Sequence, residues 1–345
     1  MKSGSWFIQM RLNGVSVPVT ASSEKECRYQ AQLIKAEYKA GKREIQSTNK
    51  TDITLNDLLS NYNKKYESVL SPATIRGYEI VRKHRFPDYM NKSVKSIKDW
   101  QEMINAELKT KSEHTVKNGW GCVSAALRDA GIPVPIVKLA KVPVKDMAFL
   151  EPEEIPLFCS AAEGDSAEIE MLLALHGLRM SEVLSVVKNH QYNLKSGTIT
   201  VRGASVLNKE NKLVDKSTNK NKTSTRVVPI MIPRLKELLK KMDDGSLQFS
   251  GHTAPTVLAH VHQTCERAGV TDVTCHGLRH TFASLAYSLK MSERMTMELG
   301  GWSDASTMHK IYIRLAQRDK DNAKNAMTAF YETMQAKNAN KNANG

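Results

Sequence analysis

The sequence has no run of about 18 consecutive apolar residues, so no segment is expected to cross a bilayer as a helix. The opening residues, Met1-Lys2-Ser3-Gly4-Ser5-Trp6, lack the apolar stretch of a signal peptide. The cysteines are an odd, scattered set: Cys27, Cys122, Cys159, Cys265 and Cys275. No Cys-x-x-Cys pair occurs among them, so neither a disulfide framework nor a zinc site is supported. The expectation is a reduced, cytoplasmic protein. Paired Asp or Glu clusters of the kind that hold two Mg²⁺ ions are missing, and so is a nucleotide-type phosphate loop. No cofactor and no metal are therefore expected. There is no internal repeat.

What the chain has in excess is positive charge. Its 345 residues carry 50 Lys and Arg against 36 Asp and Glu, a formal +14. The surplus is spread evenly: residues 1–50, residues 51–148 and the remainder each carry a net +4 or +5. A polyanion partner follows from such a balance. The plainer alternative is a basic protein whose charge has no specific partner. The length predicts two or three domains.

Residues 1–48 read as a small unit. Trp6 to Leu12 alternates partly like a strand, Asn13-Gly14 is a hairpin turn signal, and Val15 to Val19 returns. A helix opens at Ser22 or Ser23 and stops at Gly41. After a polar linker at 44–51, residues 52–131 have helical periodicity. Thr54 with Asp57 resembles a capping box, and Leu55, Leu58, Leu59, Tyr62 and Tyr66 form one stripe. Ser71-Pro72 opens a second helix, Ser96 a third and Ser112 a fourth, which ends at Gly131. Pro133, Pro135 and Pro143 with Lys138, Lys141 and Lys145 mark an extended basic connector. From about 149 to 331 the pattern is mixed, with strand-like pieces at 198–202, 204–207, 212–214 and 225–230 among helices. The Asn, Lys and Ala tail from about 336 has no apolar periodicity and is expected to be disordered. The fold class expected is mainly α with small β-sheets, in several domains: 1–48, 52–145 and 149–335, then the tail 336–345.

Two distant stretches share a pattern. One is His176-Gly177-Leu178-Arg179-Met180-Ser181-Glu182; the other is His276-Gly277-Leu278-Arg279-His280. Leu299-Gly300-Gly301-Trp302 follows, and Tyr312 lies ten residues beyond Trp302. Two guanidinium groups can bracket one phosphate through paired N–H donors. A tyrosine hydroxyl can attack phosphorus and become covalently attached. Together these residues fit a phosphodiester target, with Tyr312 as nucleophile. Glu182, three residues after Arg179, shares its helical face and can orient it; alone, the pair reads first as a surface ion pair, worth little. His276 and Arg279 lie together at a helix start, where free N–H groups and the dipole favour an anion. Tyr312, with an ordinary pKa of about 10, needs help to lose its proton; by periodicity alone it is a packing tyrosine. The leaving oxygen needs an acid. Lys209, Lys212, Lys216, Lys220 and Lys222 are all candidates that the residues do not separate.

These motifs resemble those of tyrosine recombinases of the phage integrase family. The likeness covers nearly the whole chain. It implies that Arg179 and Arg279 hold the scissile phosphate and that Tyr312 forms a 3′-phosphotyrosyl bond. Lys222-Thr223 before Arg226-Val227-Val228-Pro229-Ile230 matches the family's catalytic lysine on a hairpin, which singles out Lys222 as the acid. His276 and Trp302 would bond or pack near the phosphate, with Glu182 and His280 in support. The implied partners are double-stranded attachment-site DNA, three further copies in a tetramer, a host DNA-bending protein and an excision factor, with no membrane. Residues 1–48 resemble an arm-type DNA-binding domain and residues 52–145 a core-binding domain. The implied function is integration or excision of a mobile element. A chromosome-resolving or inverting relative, and a non-catalytic DNA-binding regulator, are the alternatives. The ten-residue step from Trp302 to Tyr312 is one longer than in many members.

Overall fold

The computed structural model describes residues 5–12, 15–41, 53–143, 147–216, 225–249 and 251–343. By internal contacts the chain divides into two compact units, Met1–Lys65 with Ile80–Lys141, and Tyr66–Glu79 with Val142–Gly345.

The first unit opens with an antiparallel hairpin, β1 (Trp6–Leu12) and β2 (Val15–Ala21). Helix α1 (Glu24–Lys39) follows, capped by the Ser23 hydroxyl. Its buried Cys27 thiol donates to the carbonyls of Trp6 and Val19, joining helix to hairpin. The helical stretch that follows comprises α2 (Leu55–Tyr66), α3 (Pro72–His84), α4 (Pro87–Met90), α5 (Trp100–Leu108) and α6 (Glu113–Asp129), of which Tyr66–Glu79, with the first part of α3, falls in the second unit. Leu55, Leu58 and Leu59 of the expected stripe are buried. The third long helix does not start at Ser96, which closes a 3-10 turn at Val94–Ser96. Ser96 spends its hydroxyl on the Ser93 carbonyl, whereas Asp99 accepts the Glu102 N–H at 2.9 Å and so starts α5. Phe86 sits at φ 51, and the buried Glu107 carboxylate accepts its N–H at 2.9 Å. Among the described residues of the connector, 132–143 contain neither helix nor strand, as three prolines require; Lys145 lies outside the described residues.

The second unit centres on α8 (Glu168–Leu175), every residue of which is buried. A helix apolar over most of its surface, with its few polar groups paired, belongs inside a core. Around it lie α7 (Glu154–Ala162), α9 (Met180–Lys188), α10 (Pro233–Asp243), α11 (Ala254–Ala268) and α12 (Cys275–Ser288). The polar positions of α8 are paired: Glu168 takes a two-pronged bond from Arg234, and Glu170 meets His252 at 3.2 Å. One sheet runs β3 (Tyr192–Asn193), β4 (Thr198–Val201), β7 (Arg226–Pro229); the other pairs β5 (Ala204–Leu207) with β6 (Leu213–Lys216). All pairings are antiparallel, and Val201 stands opposite Arg226. The chain ends with α13 (Glu293–Gly300) and α14 (Ala305–Ala343). The stretch expected to be disordered is therefore helical as far as Ala343. Alanine and lysine favour helix by backbone propensity, a signal that apolar periodicity does not register. Among the described residues no helix is long and apolar enough to cross a membrane.

Candidate active site

Helix α8 closes at His176, and Gly177 turns the chain at φ +93, a region that favours glycine. A side chain there would also meet the Phe282 ring 2.9 Å from its Cβ. The turn places Arg179 at the N-cap of α9. Glu182 then reaches back, accepting from the Arg179 backbone N–H at 3.0 Å and from Arg179 Nη1 at 2.8 Å. This is not the weak surface pair that spacing alone allowed, because the Glu182 side chain is only 4% exposed. Burial would raise the Glu182 pKa, but Arg226 and Arg179 hold it below the ordinary carboxylate value.

The arginines meet at one turn. Helix α13 ends at Gly301, which takes φ +70. The last carbonyls of a helix have no partner within it and carry its negative dipole. Here three successive ones each accept from a different arginine. Arg226 Nε donates to Leu299 O at 2.9 Å, Arg279 Nη1 to Gly300 O at 2.7 Å, and Arg179 Nη2 to Gly301 O at 2.7 Å. Arg279 Nη1 also donates to the Gly177 carbonyl, which links the two sequence boxes directly. Gly300 has no room for a side chain, since the Trp302 ring lies 1.8 Å from where a Cβ would stand. That ring stacks on Arg279, whose Cζ is 4.0 Å from its centroid.

Arg279 is 1% exposed, and its Nε and Nη2 have no partner among the described residues. Burial, then the neighbouring Arg179, pushes its pKa down to about 9, so it stays charged at neutral pH. Buried cationic donors left unpaired are costly unless an anion meets them. Among the described residues, the nest formed by Arg179, Arg226 and Arg279 holds a single carboxylate, Glu182, and so keeps an excess of positive charge.

The Thr274 hydroxyl caps α12 by accepting the Gly277 N–H at 3.0 Å. His276 lies exposed in the first turn, with its ring edge-on to His280 at 4.7 Å. Partial burial, Arg279 and Arg179 lower the His276 pKa. His280 is buried and pushed down to about 4 by that burial and by His276 and Arg279. Both rings are thus neutral at pH 7. Tyr312 is half-buried on α14, its ring tilted against Tyr287 at 5.2 Å. Its hydroxyl donates to Thr296 Oγ1 at 3.2 Å, so the phenol is engaged by α13 rather than by the arginine nest. Met308, Ile311 and Leu315 of α14 pack in one cluster with Phe282 and Trp302, which ties the Tyr312 helix to the arginine turn. Lys222 lies outside the described residues. The structure thus joins Arg179, Glu182, Arg279 and Trp302 directly, and sets His276 and His280 beside them. Sequence reading missed Arg226, Thr296 and the turn carbonyls. A conformational role for Gly300-Gly301 was the one available signal.

Residues 148–318 match the model of the phage integrase family. Those residues form a phage integrase family domain. A tyrosine recombinase XerC-like protein of Caldanaerobacter subterraneus subsp. tengcongensis is 24% identical over 348 residues, covering 85% of this chain and 88% of the relative. The Tn1549 transposon integrase, solved in complex with transposon right end DNA, is 16% identical with a TM-score of 0.58; the match covers 78% of this chain and 99% of that one. A lambda integrase tetramer bound to a Holliday junction is 17% identical with a TM-score of 0.53, over 90% and 93%. These likenesses establish that the integrase-family fold is shared.

Proposed function

We propose that this chain is a site-specific DNA recombinase that integrates or excises a mobile element through a 3′-phosphotyrosyl intermediate. The observation that carries the reading is the arginine nest: two boxes a hundred residues apart bond to successive carbonyls of one turn, leaving Arg279 Nε and Nη2 free inside it. Arg179 and Arg279 grip the non-bridging oxygens of one phosphate, as forked donors do. Tyr312 leaves Thr296, and its phenolic oxygen attacks phosphorus as the bond to the deoxyribose 5′ oxygen breaks. His276, neutral at pH 7, takes the phenol's proton. Lys222 is the proposed donor of the proton that the departing 5′ oxygen requires. Trp302, stacked on the Arg279 guanidinium, fixes its orientation, and Glu182 and His280 support the two boxes. The arginines stabilise the charge that grows on the phosphoryl oxygens, the largest single contribution in sites of this kind. Rejoining is the reverse reaction with a new 5′ hydroxyl.

Residues 149–335 would supply this chemistry, 52–145 the core-site grip and 1–48 the arm-site contact. Four copies would act on two duplexes, with a host bending protein and an excision factor setting direction. The test is a suicide duplex, nicked beside the cleavage point in a core site read from the element's flanking repeats. The expected outcome is a covalent protein–DNA adduct that forms in EDTA and is absent in Tyr312→Phe. A wild-type chain that binds this duplex and yields no adduct contradicts the proposal.

A further inference from the structure

Arg226 stands at the start of β7, paired across the sheet with Val201. Its side chain is only 7% exposed. The guanidinium spans two elements: Nη2 donates to Glu182 Oε2 at 3.1 Å and Nε to Leu299 O at 2.9 Å. It fills the space beside Gly301 so closely that a Cβ there would lie 2.5 Å from Nη1. Glu182, the carboxylate it holds, also grips Arg179 through both its backbone and its side chain. The turn it holds also carries the carbonyls that orient Arg179 and Arg279. Arg226 is thus a buried strut beside Arg179 and Arg279, with its own Nη1, like Nε and Nη2 of Arg279, lacking a partner among the described residues.

We propose that Arg226 is a positioning residue, which ties β7 to Glu182 and to the 299–301 turn and so sets the spacing at which Arg179 and Arg279 meet one phosphate. This rests on the strand-transfer reading above. The planar fork matters more than the charge, because one ammonium group is a point donor and cannot hold that carboxylate and that carbonyl in a fixed geometry. A displacement of about 1 Å in such groups costs on the order of 10²-fold in rate.

The test compares Arg226→Lys and Arg226→Gln with wild type in the full chain. Adduct formation on the suicide duplex is timed at saturating DNA and normalised to DNA-binding-competent protein, so that partial misfolding does not enter the rate. Affinity for the uncut duplex and Tm are measured alongside. Positioning by the fork predicts that both variants lose about 10²-fold in rate, with affinity changed by less than about threefold. Wild-type rates in Arg226→Lys, with loss only in Arg226→Gln, would show a charge effect and overturn the proposal. Normal normalised rates in both variants with a lowered Tm would reduce Arg226 to a structural residue and overturn it too. A wild type that forms no adduct would instead remove the strand-transfer reading beneath it.

Discussion

The two units bury different things. In the first, Asn63 and Glu107 are the buried polar or charged side chains among the described residues. Aliphatic and aromatic side chains, methionines and cysteines fill the rest, with Trp100 edge-on to Trp120 at 5.9 Å. In the second, Glu168, Glu170, His176, Glu182, Arg279 and His280 are all buried. Buried charge is a poor source of stability, since desolvation can exceed the attraction gained. Of this set, Glu182 and Arg279 are tied with Arg179 and Arg226 to the 299–301 turn, which marks where the fold gives up stability for preorganised charge. The first unit is held by packing; the second is also shaped for an anion.

That contrast can be broken by substitution. Arg279→Ala or Arg179→Ala should lower adduct formation by about 10³-fold or more, while duplex binding falls far less because many other cations contribute. A loss of binding as large as the loss of rate, seen by mobility shift, would contradict the division of labour. In the first unit Met103→Ala or Leu59→Ala, at fully buried positions, should cost about 2–5 kcal/mol in urea unfolding. The adduct rate of the folded fraction should not change.

The second unit should also be the acid-sensitive one. His176 and His280 have pKa values of about 4 in the fold against an ordinary 6.5, chiefly from burial. Between those values the unfolded chain binds more protons, so stability falls as pH is lowered through this window and is regained above it. The loss should be on the order of 3 kcal/mol per histidine. Unfolding midpoints at pH 7 and pH 4 measure it, and His280→Gln should flatten the dependence. The smallest effect is expected at the exposed Lys65–Asp129 pair, 2.6 Å apart in the first unit. Lys65→Ala should cost about 1 kcal/mol or less, measured by the same unfolding series.

Much of this was legible in the residues. Apolar stripes and caps announced most helices, since Leu55, Leu58 and Leu59 could only be a buried face. Ser112 caps α6 as its position predicts. The two Arg boxes and Trp302 were visible as motifs and do meet. What was not legible has physical reasons. Both Ser96 and Asp99 could cap a helix, and only the competing carbonyl of Ser93 decides between them. The turn at 299–301 acts through backbone carbonyls, which no side-chain pattern records. Arg226 sits in a strand motif quoted for its neighbours, and its partners, Glu182 and Leu299, are 44 and 73 residues away in sequence. The hold of Thr296 on Tyr312 is likewise a tertiary contact between two helices.

The most direct test is to digest the protein–DNA adduct and identify the linked amino acid and the linked DNA end by mass spectrometry. The account predicts a 3′-phosphate joined to the peptide containing Tyr312, and a free 5′-hydroxyl on the other strand end. A link to Tyr331, to a serine, or to the 5′ end would contradict it.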